Sequence, residues 1–545
     1  MSGKVARFEY NEDMVARDAL LNATHARNHL EFCCGLNIDT VPPVVRGTGI
    51  ICTIGPACQD VDKLKEMIYS GMNIARMNFS HGTHEYHKKT IDNVREAAKV
   101  EHPHPVAIAL DTKGPEIRTG IMKAGTDSET TYKKGAALRV TTDLSLREQC
   151  DENLLYVDYK GLAKSVKKGS KIFIADGLLS LEVTDVLDDH VMTKILNDAA
   201  ISSRKNCNLP GAIIDLPAVS EKDVQDLQFG VENEVDMIFA SFIRKAQDIR
   251  DVRKVLGEKG KDIKIIAKIE NHEGIINIDE ILMETDGVMV ARGDMGMEIP
   301  LEKVFLAQKM IIARCNMAAK PVICATQMLE SMTENPRPTR AEASDVANAV
   351  LDGVDCVMLS GETAKGAYPS QAVLTMHKIC REAEAAIFHR ALYDNLKNAK
   401  TLTDATETTC IASVSASFKV NAATIIAFST SGRTARILSH YRPRCPIILI
   451  TRNKRVCRQA HLSRGLFPLY YDEPRQNNWS DDVNARLVYA VTKGKDMGFI
   501  RNGSFIVFVV GWSPGSHTTN TMRILQVSES GDVIGRRNEA EIFFS

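Results

Sequence analysis

The sequence predicts an α/β protein: a (β/α)8 TIM barrel with a small β-barrel-like domain inserted in it and a second α/β domain at the C-terminus. Three observations lead there. Eight short, apolar, β-branched runs recur, most of them starting roughly 23–35 residues apart, the room that a strand, a helix and two loops need. Charged and hydroxyl residues gather where those runs end, and barrels of this kind place function at the strand C-termini. One interval of about 125 residues breaks the rhythm and changes to short alternating segments.

Residues 1–44 are polar, with a helical stretch near Asn11–Cys34. They have no core of their own and are expected to pack on another domain or subunit. The first part of the barrel, residues 45–115, holds candidate strands Gly49–Thr53, Asn73–Asn78 and Pro105–Asp111. Residues 116–215 form the insert, with alternating runs at Ala137–Thr141, Lys171–Ile174 and Leu181–Val186 and turns at Lys168–Gly169 and Asp176–Gly177. An insert at the mouth of a barrel is placed to act as a lid. The barrel resumes over residues 216–387 with Asp236–Ser241, Ile263–Glu270, Gly287–Arg292, Pro321–Thr326 and Asp355–Ser360. These runs are apolar on both faces, as buried parallel strands are. Residues 388–545 alternate again, with strands expected at Thr424–Phe428, Pro446–Thr451, Gly465–Leu469, Ser504–Val510 and Thr521–Val527, in a doubly wound or similar sheet.

The 545 residues suffice for roughly three domains. A hydrophobic share of 44% and a charged share of 25% are those of a globular protein. The formal net charge of −1 provides no field to recruit nucleic acid or an anionic membrane. Thirteen cysteines, scattered and without a CxxC pair, argue for reduced thiols and a cytoplasmic setting. No apolar run approaches the ~20 residues of a membrane span. The acidic residues near the N-terminus fit neither a secretory signal nor a transit peptide.

The chemistry is concentrated at the strand ends. Lys268 and Glu270 lie two apart, so they leave one strand on the same face, and Asp294 follows the next strand. Two carboxylates completed by substrate oxygens make a site for Mg2+ (or Mn2+). Arg76, Asn78 and Ser80 alternate on the second strand, and the arginine fork suits a phosphate. Asn78, Ser80, Asp111 and Thr112 make an oxygen cluster with one formal charge, which fits a monovalent cation better than a second divalent one. Thr326 ends the seventh strand and Ser360 the eighth. Polar residues thus end seven of the eight strands, with no Ser–His–Asp set and no need for a cysteine nucleophile. Electrostatic positioning, as in phosphoryl transfer or enolate stabilisation, is the favoured class. In the C-terminal domain Ser429, Thr430, Ser431, Gly432, Arg433 and Thr434 join a strand to a helix, a loop that can cradle a second phosphate or serve as a plain turn. His102 and His104 read as a surface loop, Cys33–Cys34 as reduced thiols, and His272 equally as a helix start or a catalytic group.

At these motifs the chain resembles the pyruvate kinase family from about residue 45 to its C-terminus. The carriers are long: ARMNFSHG (75–82), LDTKGPEIRTG (110–120), NLPGAIIDLPAVSEKD (208–223), IIAKIENHEG (265–274), ARGDMGMEIP (291–300), ICATQMLESM (323–332) and the stretch from PRPTRAEASDVANAV to VMLSGETAKG (336–366). The resemblance implies transfer of the phosphoryl group of phosphoenolpyruvate to ADP, giving pyruvate and ATP. It implies Mg2+ on Glu270 and Asp294, and K+ on Asn78, Ser80, Asp111 and Thr112. It gives substrate contacts to Arg76, Lys268, Gly293, Asp294 and Thr326, and nucleotide contacts to Asn78, Arg118 and Lys205. Glu116 matches the loop of K+-requiring members. Trp479, Arg486 and the segment around Gly515 resemble a sugar-bisphosphate effector pocket, with Ser513 where arginine is common. A homotetramer is implied as well. Two other classes stay open on the residues: a Mg2+-dependent lyase acting through a pyruvate enolate on a similar barrel, and a non-catalytic metabolite sensor.

Overall fold

The protein is described here from a computed structural model, which describes residues 26–43, 45–99, 105–513, 515 and 518–528. Eight parallel strands close into a barrel: Gly49–Thr53, Ile74–Asn78, Ala107–Asp111, Met237–Ala240, Lys264–Ile269, Gly287–Ala291, Val322–Ala325 and Cys356–Leu359. Each pairs with its neighbours in chain order, and the first closes the ring on the last. One parity of side chains, including Ile51, Ala109, Phe239, Ile266, Met289 and Ile323, forms an inner cluster. The other parity, including Ile50, Met77, Ile265, Val288 and Val290, packs against the surrounding helices. Burial of both faces is why these strands read as unbroken apolar runs.

Several barrel strands are a residue or two shorter than the sequence suggests, for a physical reason. Asp236 and Asp355 stand just before strands, where their carboxylates accept backbone N–H groups from Ile108 (2.9 Å) and Val322 (3.1 Å) of neighbouring strands. They tie the barrel floor together through side chain and backbone alike, since Asp236 N and Asp355 N also donate to the Ile108 and Val322 carbonyls at 2.9 Å. The C-terminal domain closes that floor. Leu462 joins the inner cluster, and the His461 carbonyl accepts from Cys356 Sγ at 3.3 Å.

The insert builds one core from two sheets. A six-stranded sheet runs in the order Cys207–Asn208, Lys171–Ile174, Leu179–Val186, His190–Ile195, Ala137–Thr141 and Leu154–Tyr156, and Glu129–Tyr132 pairs with Ala199–Ser202 beside it. The C-terminal sheet has the order Leu466–Tyr470, Ile447–Thr451, Thr424–Phe428, Phe505–Gly511 and Thr519–Gln526, the last antiparallel and the rest parallel. Its strand order reverses between Thr424–Phe428 and Phe505–Gly511, and open α/β sheets bind ligands beyond the strand C-termini at such a point.

Of the expected N-terminal helix, the described part is His29–Cys34, capped by the Asn28 side chain on Glu31 N (2.9 Å); residues 11–25 lie outside the described residues. Phe32 stacks on Phe388 at 4.7 Å, so this segment packs on the start of the C-terminal region. His102 and His104 also lie outside the described residues. Cys33 and Cys34 are free and exposed. Among the described residues no helix is long and apolar enough to cross a membrane.

Candidate active site

A buried ionic network occupies the C-terminal end of the barrel. Asp111, ending the third strand, takes Arg76 Nε on one oxygen at 2.7 Å and Lys268 Nζ on the other at 3.0 Å. Arg76 Nη1 also donates to Thr53 Oγ1 at 2.8 Å. Lys268 Nζ lies 3.1 Å from Glu270 Oε1 and 2.7 Å from Ser241 Oγ. Two cations and two carboxylates are therefore held almost wholly out of water. Such a cluster survives only if each charge is paired and hydrogen-bonded. Burial pushes the Asp111 carboxyl up, but the adjacent Arg76 and Lys268 outweigh it and hold the group below its usual range. Burial likewise opposes the Lys268 ammonium, while Asp111 and Glu270 more than offset that and raise it. Lys268 is thus a permanent cation with all three N–H directions occupied.

Glu270 and Asp294 have the opposite bias. Burial pushes Glu270 up despite Lys268 and a 2.6 Å bond from Phe242 N. Burial and the neighbouring Glu270 carry Asp294 up to about 7. This donor set is short of positive charge, and a divalent cation suits it. With Glu270 and Asp294 both ionised, two cations face three carboxylates, a balance that a bound divalent cation would tip in favour of an anionic substrate. Among the described residues no group of three or more His, Cys, Asp or Glu could hold a metal by itself. A divalent cation held by these two carboxylates would need further oxygens from substrate or water.

Of the proposed monovalent ligands, Asn78 and Asp111 stand side by side on the second and third strands. Asn78 and Asp111 are directly paired in register, and Asn78 Oδ1 accepts from Ser80 N at 3.1 Å. Thr112 Oγ1 accepts from Ser241 N at 3.1 Å, which fixes the turn after the third strand. A capping box supports it from below: Asp223, paired with Ser220 at a helix start, also accepts from Gly114 N at 3.1 Å.

Thr326 follows the seventh strand at φ 75°, a left-handed conformation that a β-branched residue adopts at a cost of roughly 1–3 kcal/mol. Arg292 holds it there, donating to the carbonyls of Thr326 (2.7 Å) and Ala325 (3.2 Å) while paired with Asp345 at 2.7 Å. Gly293 faces Thr326 so closely that an added Cβ would lie 2.8 Å from Thr326 Cγ2. The fully buried Glu362 joins this turn to the eighth strand, accepting from Leu329 N (3.0 Å) and Ser360 N (2.7 Å). His272 is the first residue of a short helix capped by Asn271.

On the side facing the insert, Arg118 pairs with Glu116 at 2.5 Å and bridges to Asn206, next to Lys205. The Lys205 and Thr119 backbones are bonded at 2.8 Å. A cavity of about 340 Å3 runs from Asp294 past Glu116 between the barrel and the insert, within the size range of small-ligand pockets.

The second predicted site is a cavity of about 450 Å3 at the switch point of the C-terminal sheet. Ser429, Thr430, Ser431, Arg433, Thr434, Trp479, Arg486 and Gly515 line it; Gly432 stands behind the loop at φ 77°, where glycine is favoured. Arg486 is not a free cation. Its guanidinium lies over Phe428 (4.4 Å) and Trp479 (5.2 Å) and 2.8 Å from Asp482, and burial lowers it to about 10. Arg452 shares Asp482 at 2.7 Å. Arg475, also lining the cavity, is exposed and has no ion pair among the described residues. Ser513 lies in the adjoining exposed turn, where its carbonyl accepts from Thr518 Oγ1 at 3.1 Å.

Sequence reasoning missed Ser241, the polar end of the fourth strand, because a lone serine after FA carries no charge signal. It missed Arg475 and Arg452 because neither lies in a motif. The double duty of Asp223, helix cap and acceptor for Gly114 N, was missed as well.

Comparison with known proteins finds two family models on the chain. Residues 45–373 match the family model described as pyruvate kinase, barrel domain, and residues 407–525 the one described as pyruvate kinase, alpha/beta domain. The chain is 55% identical over 514 residues to human "Pyruvate kinase PKLR", covering 93% of this chain and 90% of that one. It is 52% identical over 504 residues to the pyruvate kinase of Candida albicans, covering 92% and 100%. With the pyruvate kinase of Agaricus bisporus it shares 52% over 512 residues, covering 92% and 96%.

Proposed function

Since the chain belongs to the pyruvate kinase family, an enzyme family that transfers the phosphoryl group of phosphoenolpyruvate to ADP, we propose that Lys268, Arg76 and the Glu270–Asp294 pair carry that reaction here. The family implies a divalent metal and potassium. The observation that carries the residue assignment is the convergence of Lys268 and Arg76 on Asp111, beside two carboxylates short of positive charge. Neither a lyase nor a sensor gains support from the relatives, which are named as pyruvate kinases.

Lys268 and Arg76 face the phosphoryl group and oppose its charge as it moves. Mg2+ (or Mn2+) on Glu270 and Asp294 would supply charge neutralisation at phosphoryl and enolate oxygens. With Glu270 serving as a metal ligand, one Lys268 N–H would be left for the substrate, while Ser241 and Asp111 keep the ammonium aimed. Gly293, Asp294 and Thr326 receive the substrate carboxylate. Thr326, with Ser360 nearby, passes a proton through water to the enolate carbon. Asn78, Arg118 and Lys205 hold the nucleotide, Lys205 reaching in from the lid. Asn78, Ser80, Asp111 and Thr112 bind K+. A cytoplasmic homotetramer completes this reading.

The monovalent site has a direct test. Replacing K+ with tetramethylammonium at constant ionic strength and saturating Mg2+ lowers turnover at least about tenfold, because a cation too large for the oxygen cluster cannot enter it. Unchanged turnover would remove the site from this account.

For the C-terminal cavity, the reading is a bisphosphorylated sugar held by the 429–434 loop and arginines. Binding remote from the barrel acts only through a preference for one global state, so substrate dependence is sigmoidal without effector. Arg486→Ala abolishes activation by fructose bisphosphates, and Arg475→Ala, at an exposed position, weakens it about tenfold. Both keep turnover at saturating substrate nearly intact. Hyperbolic wild-type kinetics with no sugar-bisphosphate binding would return the loop to an ordinary helix start.

A further inference from the structure

A second cavity beside the C-terminal domain, of about 250 Å3, lies between it and the barrel floor, on the other side of the 429–434 loop, with Arg433 lining both this cavity and the one at the sheet's switch point. Lys264, Lys320, Arg433 and Arg436 line it, against a single carboxylate, Asp286. That carboxylate is already committed. It takes Lys264 Nζ at 2.9 Å, Arg253 at 2.7 Å and the Ile265 N–H at 3.0 Å. Arg433 is paired with Asp404. Lys320 and Arg436 donate instead to backbone carbonyls, Thr285 at 2.7 Å and Ser431 at 3.0 Å, and neither has a carboxylate within ion-pair distance among the described residues. Burial, with Lys264, Arg436 and Arg253 nearby, lowers Lys320 despite Asp286.

Cations without counter-charge attract anions, the more so where they leave water, and this cavity gathers two of them, the half-buried Lys320 and Arg436 at its exposed edge, beside Lys264, whose partner is shared. We propose that it is a binding site for a small phosphorylated anion. The two lysines supply point charges with unused N–H directions, and the Arg436 fork supplies a planar donor pair for phosphate oxygens. A volume just below the usual range of small-ligand pockets fits a phosphate or a compact phosphate ester. The exposed edge of Arg436 gives the anion a way in. Because Arg436 also holds the Ser431 carbonyl, an anion that draws it toward Lys320 loosens the 429–434 loop. That consequence rests on the effector reading; the binding site itself does not.

The test uses the full chain, with the catalytic site filled by phosphoenolpyruvate and Mg2+ and the ionic strength held by KCl. Inorganic phosphate is titrated calorimetrically into wild type, Lys320→Met, Arg436→Met, the double variant and Arg486→Ala. The site predicts saturable binding by wild type, weakened about tenfold in each single variant, the scale of one charge-assisted hydrogen bond. It also predicts loss in the double variant and retention in Arg486→Ala. Arg436→Met alters an exposed side chain, so it reports on the site even if Lys320→Met folds poorly. No binding by wild type, equal binding by wild type and Arg436→Met, or loss in Arg486→Ala alone overturns the proposal. Acetate binding as tightly as phosphate overturns the assigned ligand class.

Discussion

Replacing Lys268 with methionine lowers substrate-saturated turnover by roughly a thousandfold or more while the barrel stays folded. The side chain is an ammonium with three partners, Asp111, Ser241 and Glu270, in a site nearly closed to water. A positioned donor in such a site contributes several kcal/mol to the barrier, and a full positive charge more than a neutral donor. Methionine fills the same volume without the charge. The fold survives because Asp111 keeps Arg76 and Glu270 keeps the Phe242 N–H. Steady-state rates with a circular-dichroism melting curve check this result. Turnover within about tenfold of wild type would remove Lys268 from the mechanism.

Glu270→Gln has the second largest effect, and its signature differs. The amide keeps the shape and can still accept from Phe242 N, but one of the two proposed anionic ligands is gone. Divalent-metal affinity falls by roughly a hundredfold or more, by analogy with the losses seen when even outer-shell partners are removed. Part of the lost rate returns at high Mg2+, which Lys268→Met does not allow. Metal titrations of activity at saturating phosphoenolpyruvate and ADP separate the two. If Glu270→Gln shows the wild-type metal dependence, the ligand is another residue.

The barrel was legible because eight doubly buried strands must be written in apolar residues, and a helix after each sets the spacing. Strand limits were less so: Asp236 and Asp355 look like strand residues in sequence, but in the fold they stand just before the strands, with carboxylates that accept from neighbouring backbones. The charged half of the site was equally readable, since Lys268 and Glu270 in an apolar run are costly unless they serve a purpose. Ser241 was not, because its role comes from a contact between the fourth and fifth strands that no local pattern encodes. Arg292 shows the same limit. Its place in ARGDMGMEIP is visible, yet its task of holding Thr326 in a left-handed turn exists only once two loops meet. In the C-terminal domain the loop was legible and the charge balance was not. Arg486 is spent on Asp482 and two aromatic rings, while Arg475, in no motif, stands exposed at the cavity.

The most direct test is ATP formation from phosphoenolpyruvate and ADP by the purified full chain, followed with ADP, divalent metal or K+ omitted in turn and repeated with Lys268→Met. The account predicts ATP and pyruvate in equal amounts, dependent on all three additions and all but lost in the variant. Pyruvate released without ADP, or ATP formed by Lys268→Met at a rate near wild type, would contradict it.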